Sequence, residues 1–169
     1  GVGLSVTSLD RDLARRLEPR ASRPDRRLAA IRALAGAGVP VTVMVAPVVP
    51  GLNDHEVPRI LEAARDAGAT SAAWILLRLP FGVQALFADW LERHFPERRS
   101  KVLHRVQEVR GGRMNDPRFG SRMRGEGVYA EQIEAMFDLA CRRLGLARGS
   151  LELHTGAFRR PGDGQGVLF

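Results

Sequence analysis

Residues 41–56 read VTVMVAPVVPGLNDHE, and this stretch decides the fold. An apolar, β-branched run meets two prolines, turns at Gly51 and continues as Asn, Asp, His and Glu. A continuous run of this kind is typical of a strand that is buried on both faces, as in a parallel sheet. Pro47 and Pro50 remove backbone donors, so we expect the strand to end there and a helix to begin at about Asn53.

Two other segments read as strands. Val2–Thr7 alternates apolar with small polar residues, and Ser71–Pro80 is a second continuous apolar run. With Val39–Val49 between them, they make three predicted strands.

The segments between and after the strands carry apolar residues at helical spacing. Ser22 is the predicted N-cap of the first helix, which ends before Gly38. Asn53 and Glu56 form a predicted capping box at the start of the second helix. The other predicted helices are Val83–Phe95, Arg98–Val109 and about Tyr129–Leu144, and an Arg/Gly-rich connection, Arg110–Gly127, joins the last two.

Strands that alternate with helices predict βαβ crossovers and a parallel sheet, so the expected fold class is α/β. We expect residues 1–96 to form this α/β part, residues 97–155 a helical C-terminal extension, and residues 156–169 a flexible tail. The first residues read as if they already lay inside a strand. We therefore expect the chain to be part of a longer polypeptide.

The composition excludes several classes of protein. The 169 residues carry 26 basic and 19 acidic side chains, and the formal net charge is +7. This charge favours a nucleic-acid partner. However, only one basic residue is lysine, and GC-rich coding also produces such an excess of arginine over lysine. Both interpretations stay open. The single cysteine, Cys141, excludes an internal disulfide framework.

Without a signal peptide or a membrane-spanning run, the sequence predicts a cytoplasmic protein with no membrane partner.

Ligands of parallel α/β proteins bind at the carboxyl ends of the strands. Ser5 and Thr7 share one face at the end of the first strand, where a buried hydroxyl needs a hydrogen-bond acceptor. The helix that is predicted to begin at Asn53 offers free N–H groups to an anion, and Arg78 is the lone charge in the third strand. Each feature also has a structural explanation. The hydroxyls of Ser5 and Thr7 could be hydrogen-bonded within the chain, the segment before Asn53 could be an ordinary turn, and the guanidinium of Arg78 could reach solvent.

Three joined motifs carry a family resemblance: S-x-T-S-x-D at residues 5–10, R-R-x-E-P-R-A at 15–21, and A-P-x-x-P-G-x-N-D at 46–54. Together they resemble the second half of radical S-adenosylmethionine (radical SAM) enzymes of the spore photolyase-like, DNA-repair-photolyase-type branch. LLRLP at 76–80 and DPRFGSRMRGEG at 116–127 are similar to one uncharacterised bacterial group of that branch. The resemblance extends from about residue 3 to residue 160.

The resemblance implies a fold and a reaction. The implied fold is a six-stranded partial TIM-like (βα) barrel, of which this chain would supply the C-terminal half, strands four to six, plus a helical extension. In the family, three cysteines hold a [4Fe–4S] cluster, and a flavodoxin- or ferredoxin-like reductant supplies the electron. S-adenosylmethionine is then cleaved to a 5′-deoxyadenosyl radical. The implied activity is of the lyase or DNA-repair type, on DNA or a nucleotide.

The resemblance also implies which residues contact the cofactor. Ser5 and Thr7 would lie near its ribose and methionyl portion, and Glu18 and Arg20 near its polar end. A guanidinium such as that of Arg20 suits the methionine carboxylate. The positions implied to contact adenine and ribose are Ala46, Pro47 and Asn53, together with the backbone of Leu77, Arg78 and Leu79.

The family's three-cysteine motif is absent from this chain, and Cys141 cannot replace three thiolate ligands. Cys141 follows apolar residues in a late helix, and we expect it to be a core residue. We therefore expect no metal site in this chain, name no catalytic residue, and expect the chain alone to be inactive.

An alternative function is docking to DNA or to a bacterial sliding clamp. Phosphate contacts would come from Arg118, Arg122 and Arg124, unless these arginines form a salt-bridged cover over the sheet. The clamp would bind the C-terminal QGVLF, in which Gln165, Leu168 and Phe169 resemble the anchors of clamp-binding peptides. A third interpretation is an unrelated α/β barrel segment that binds a phosphorylated metabolite.

Overall fold

A computed structural model describes residues 1–149 and residue 156. Within them the strands are β1 (Val2–Ser5), β2 (Val41–Val48), β3 (Ser71–Leu76) and β4 (Ala147–Arg148). The helices are α1 (Arg11–Leu17), α2 (Pro24–Gly36), α3 (Val57–Asp66), α4 (Val83–His94), α5 (Pro96–Glu108), α6 (Ser121–Arg124) and α7 (Val128–Leu144), and a 3₁₀ turn spans Asp54–Glu56.

The four described strands form one parallel sheet in the order β1-β2-β3-β4. The expected α/β class is confirmed. Doubly wound sheets reverse their strand order, whereas strands of a (βα) barrel follow one another in sequence. The observed order is consistent with part of a TIM-like barrel.

One face of the sheet packs against helices. Val43 and Val45 of β2 and Trp74 of β3 are buried there, in one core with residues of α2, α3 and α7. The rings of Trp74 and Phe137 of α7 lie 6.1 Å apart. Because strand side chains alternate, Met44 points to the opposite face, where it is only half-buried.

A second apolar cluster lies at the carboxyl edge of the sheet. Val49 and Leu52 follow β2, Leu79 follows β3, and all three are at most 1% exposed. They pack with apolar residues of α1, α4 and α5. These three helices therefore surround the loops at the carboxyl end, while α2, α3 and α7 cover the side of the sheet.

Both predicted helix caps are wrong. Helix α2 begins at Pro24, and its N-cap is the extended residue Arg23, not Ser22, because a residue before proline avoids the helical region. At the second site a 3₁₀ turn precedes α3, and neither Asn53 nor Glu56 makes a side-chain cap bond to its helix. Both side chains instead bind the end of β1.

The structure contains three elements that the sequence analysis missed: α1, β4 and the four-residue helix α6, which lies within the predicted Arg/Gly-rich connection. The N-cap of helix α1 is Asp10, whose carboxylate accepts hydrogen bonds from the N–H groups of Asp12 (2.8 Å) and Leu13 (3.2 Å). Strand β4 is two residues long and pairs with β3 after α7. Its sequence, Ala147–Arg148, has no β-branched residue that would indicate a strand.

Strand β2 continues through Pro47 and ends at Val48, so only Pro50 lies beyond it. The Ala46–Pro47 peptide bond is cis. The pairing of β2 with β3 is irregular between Val45 and Val48. A proline is accommodated at such an irregularity because no regular ladder bond needs its missing N–H.

The side chain of Asn53 ties the strand ends together. Its Oδ1 accepts from the N–H of Val49 at 2.6 Å, and its Nδ2 donates to the carbonyls of Thr7 (2.7 Å) and Pro47 (3.1 Å). Asn53 is 2% exposed, so water cannot replace these bonds.

Tyr129, at the start of α7, donates its hydroxyl hydrogen to Asp54 Oδ2. The guanidinium of Arg105 lies 4.2 Å from the centre of its ring. Burial, then the hydrogen bond to Asp54 and its charge, raise the pKa of Tyr129 to about 12. This contact joins the N-terminus of α7 to the loop after β2.

Among the described residues, no helix has both the length and the apolar character that a membrane crossing requires.

We expect Asn53→Ala to lower the free energy of unfolding by about 3 kcal/mol, because buried backbone groups of three segments lose their partner. Urea denaturation followed by circular dichroism measures this change. The control Gln107→Ala changes an exposed side chain of α5 and should stay within about 0.5 kcal/mol of the parent. Equal losses in the two variants would contradict the structural role of Asn53.

Tyr129 is the only tyrosine, so the ultraviolet absorbance of tyrosinate reports its ionisation alone. We expect an apparent pKa near 12 in the folded chain. Its folded pKa exceeds the unfolded value of about 10, so the associated stability is complete below that pH and is lost as the pH rises through the folded pKa. Asp54→Asn should lower the pKa of Tyr129, and the control Glu131→Gln should not. A Tyr129 that titrates normally would exclude this contact.

Candidate ligand-binding site

The hydroxyl of Thr7 lies where β1, β2 and α1 meet. Its oxygen is 2.6 Å from Glu18 Oε2 and 3.0 Å from the carbonyl oxygen of Ala46, so its one hydrogen is shared between two acceptors. Thr7 is 2% exposed, and Glu18 is the C-cap residue of α1. A buried hydroxyl is thus bound to a carboxylate that the adjacent helix presents.

Arg27 of α2 completes this arrangement. Its guanidinium donates to Glu18 Oε1 (3.3 Å), to the Ser5 carbonyl (2.9 Å) and to the Ser5 hydroxyl (3.0 Å). Its Nε donates to the carbonyl of Ser22 at 2.9 Å. Each carboxylate oxygen of Glu18 therefore accepts one bond, and each keeps a lone pair for another donor.

A cavity of about 330 Å³ opens beside these groups, between α1 and α2. Its lining includes the hydroxyls of Thr7 and Ser8, the carboxylates of Asp12 and Glu18, and the guanidinium of Arg23. Such a lining can bind an ammonium group at the carboxylates and a carboxylate at the arginine.

Most of the charges around the cavity are paired. Arg15 lies 3.3 Å from Asp12, and Arg27 lies 3.3 Å from Glu18. Arg23 forms no ion pair with any residue in the described ranges, which leaves its guanidinium available to a ligand.

Glu56 fixes the turn between β1 and α1. It is 6% exposed and accepts from the Ser8 hydroxyl (2.7 Å) and the Leu9 N–H (2.8 Å). The Asp10 N–H is a third donor, at 3.3 Å, so this buried carboxylate holds the turn that carries Thr7 and Ser8 toward the cavity, whose lining does not include Glu56.

The structure brings together Ser5, Thr7 and Glu18 among the predicted cofactor residues. Arg20 is exposed and does not line the cavity. The carbonyl of Ala46 reaches Thr7, while the amide of Asn53 is occupied by the strand ends.

Leu77, Arg78 and Leu79 follow β3, away from this cavity. The Leu77 N–H donates to the carbonyl of Val48 at 2.8 Å, and the Leu77 carbonyl accepts from Arg110 at 2.7 Å. Leu79 is 1% exposed in the second apolar cluster. Both backbone groups of Leu77 that were predicted to read adenine are therefore engaged within the chain.

The predicted phosphate-contacting arginines differ in their surroundings. Arg118 donates to Asp116 at 2.9 Å and to Glu126 at 3.0 Å. Arg124 lies 3.7 Å from Glu134 and 5.0 Å from the centre of the Trp74 ring.

Arg122 stacks 4.9 Å from the centre of the exposed Phe119 ring and has no acidic partner among the described residues. The pairing of Arg118 and Arg124 fits a salt-bridged cover better than a phosphate surface. Gln165, Leu168 and Phe169 lie outside the described residues, and docking to DNA or a clamp stays a prediction.

No group of three or more His, Cys, Asp or Glu side chains could hold a metal ion in residues 1–149 and 156. Cys141 is 1% exposed within α7, and burial raises the pKa of its thiol to about 11. A thiol that resists ionisation is a poor metal ligand. The residues present therefore do not fit a [4Fe–4S] cluster.

The sequence analysis missed Arg27. The signal was its spacing, four residues before Ile31 and seven before Leu34, which places it on the apolar face of α2. A charge on that face needs a buried or half-buried acceptor, and Glu18 lies in the preceding loop.

Comparison with known proteins gives one family match. The model of the radical SAM superfamily matches residues 1–64, which include β1, α1, α2 and β2. Ser5, Thr7, Glu18 and Arg27 all lie in the matched part.

Uncharacterised proteins of Mycobacterium tuberculosis and Mycobacterium bovis are 37% identical to the chain over 98 residues. The alignment covers 57% of this chain and 29% of each relative, so the matched region spans under a third of their length. No solved structure matches the chain.

Arg27→Met should lower the free energy of unfolding by about 2 kcal/mol, because Glu18 and Ser5 lose a charged partner. Arg27→Lys keeps the charge but not the forked geometry, so we expect a smaller loss. Urea denaturation provides the measurement, and Arg26→Met, at an exposed neighbouring arginine, is the matched control. The network would not be stabilising if the two Met variants unfolded at the same urea concentration.

Proposed function

We propose that the chain is the C-terminal part of a radical SAM enzyme and that its cavity at the end of β1 binds the methionyl end of S-adenosylmethionine. One observation carries this proposal. Ser5, Thr7 and Glu18, which the family resemblance selects, form a single hydrogen-bonded network beside a cavity of about 330 Å³. All three lie in the part that the superfamily model matches.

The donor set fits the cofactor chemically. A methionyl group carries an ammonium and a carboxylate. Glu18 has free lone pairs for the ammonium, and an arginine of the cavity wall suits the carboxylate. Arg23 lines the cavity and Arg20 does not, so we assign the carboxylate to Arg23.

When bound, S-adenosylmethionine supplies a sulfonium that radical SAM enzymes cleave reductively. The role of this chain's own residues is to bind and orient that molecule. Thr7 and Arg27 hold the Glu18 carboxylate from two sides, so little reorganisation accompanies binding.

The iron–sulfur cluster requires thiolates that this chain does not have. We propose that polypeptide outside these residues supplies them, and we derive no step of the reaction through the cluster. The aligned region covers 29% of each mycobacterial relative, which leaves room in such a protein for that part.

We further propose the spore photolyase-like, DNA-repair-photolyase-type branch and a lyase-type reaction. The support is that each of the three motifs supplies a residue with a defined position: Thr7, Glu18 and Asn53. Thr7 and Glu18 line the cavity, and Asn53 binds the strand ends next to it.

Saturation-transfer difference NMR of S-adenosylmethionine with the chain tests the binding, because the method detects weak complexes. We expect transfer to the methionyl protons with the parent chain. Glu18→Gln and Thr7→Val should weaken binding about tenfold, since each removes a charged or charge-assisted hydrogen bond. Glu62→Gln, an exposed acid on α3, is the control.

The absence of transfer to a folded parent chain would contradict the proposal, as would equal binding by parent and Glu18→Gln. A longer polypeptide that includes the cluster ligands, reconstituted with iron and sulfide, should also release 5′-deoxyadenosine. Loss of that product in Glu18→Gln, but not in Glu62→Gln, would support the assignment.

A further inference from the structure

Arg110 is a buried arginine that the proposed cofactor site does not use. It is 2% exposed and donates to three carbonyls, those of Leu77 (2.7 Å), Arg122 (2.8 Å) and Ser121 (3.4 Å). Its Nε is buried without a hydrogen-bond partner, and no carboxylate in the described ranges bonds to its guanidinium. A buried positive charge that faces only neutral acceptors is incompletely compensated.

Arg78 places a second positive charge at the same end of β3. It is half-buried, and its Nε is also buried without a partner. Its guanidinium forms no hydrogen bond or ion pair with any residue that the structure describes. The Leu77 carbonyl that accepts from Arg110 belongs to the peptide bond that leads into Arg78. The two arginines are therefore neighbours.

The nearby acid does not neutralise this pair. Asp116 is 3% exposed and accepts from Arg118 Nε (2.9 Å) and from the Ser121 hydroxyl (2.6 Å). These donors hold the pKa of Asp116 well below its usual range. Its charge is already shared with Arg118, so an excess of positive charge remains beside Arg78.

Burial lowers the pKa of Arg110 and the charge of Arg78 lowers it further, while the charges of Asp116 and Glu126 offset part of this effect. The two acids that act on Arg110 are both bonded to Arg118, so three guanidinium groups share two carboxylates. An incompletely compensated charge is costly in a protein interior and is a mark of ligand-binding sites.

We propose that Arg78, backed by Arg110, forms an oxyanion-binding subsite at the carboxyl end of β3 that takes a carboxylate or phosphate group of a substrate. Arg78 is the contacting residue, because its terminal nitrogens remain open to a ligand, whereas Arg110 is fixed by three carbonyls. A guanidinium binds either group through two parallel hydrogen bonds. The carboxyl edge of parallel strands is also where substrates approach.

This subsite is separate from the cofactor cavity. Neither Arg78 nor Arg110 lines that cavity, which lies at the end of β1. The proposal therefore stands whether or not the cavity binds S-adenosylmethionine.

The test follows the Nε–H signals of arginine in the ¹⁵N-labelled chain by NMR while phosphate replaces chloride at constant ionic strength. The signal that is absent from Arg78→Gln is assigned to Arg78. We expect it to move saturably with inorganic phosphate, and with acetate in a parallel titration. Whichever ion binds more tightly identifies phosphate or carboxylate as the preferred group. Arg78→Gln should lower the affinity of the chain for that ion about tenfold.

Arg98→Gln is the matched control, because Arg98 is an exposed arginine of α5. The Nε–H signal of Arg98 should not move with either anion. Arg98→Gln should leave the anion affinity of the chain unchanged. A signal of Arg78 that does not move with either ion would overturn the proposal, as would equal anion affinities of the parent and Arg78→Gln. The anion titration and the NMR transfer to S-adenosylmethionine use different ligands and different signals, so the two sites succeed or fail independently.

Discussion

The fold depends on satisfying backbone groups where two parallel strands end together. At that point Val49 N–H and the carbonyls of Thr7 and Pro47 leave the regular ladder, and the amide of Asn53 supplies all three partners. The site requires a side chain with one acceptor oxygen and an NH₂ group that donates twice, and only Asn and Gln have both. Once this amide is in place, the hydroxyl of Thr7 reaches Ala46 and Glu18, and the cavity wall is determined. Apolar packing stabilises the sheet, but this polar contact sets how its ends are arranged.

The parts that the sequence predicted are those with a strong periodic signal. The run around Val43 and the helical face around Ile60 are buried as expected, because each pattern matches one kind of element. The missed helix α1 is short and mostly charged, and its one buried residue, Leu13, gives too little periodicity. The two cap predictions failed for different reasons: Pro24 shifts the start of α2 by one residue past Ser22, and the side chain of Asn53 is used for a long-range contact. A local pattern cannot reveal a partner that lies 46 positions away.

In the candidate site, too, some residues could be predicted from the sequence and others could not. Strand alternation places Ser5 and Thr7 on one face, and the loop that carries Glu18 could be named from a motif. Arg27 bonds to Ser5 and Glu18, and these contacts become visible only when α2 is packed against β1. The carbonyl of Leu77, a predicted adenine contact, accepts a hydrogen bond from Arg110, 33 residues later, which the sequence did not indicate. Tertiary contacts thus add Arg27 to the network at the cavity and give the Leu77 carbonyl a partner within the chain.

Strand β1 lies at one edge of the described sheet, and Val2 is 37% exposed there. Its pairing with β2 is parallel, so a strand that continued the same pattern on its free side would have to run in the same direction. Such a neighbour cannot be delivered by a tight hairpin and needs a crossover of about a dozen residues or more. A segment of the same chain that adds a parallel strand beside β1 must therefore pass over one face of the sheet first. A short appended peptide could pair only antiparallel and would leave an irregular seam in an otherwise uniform sheet.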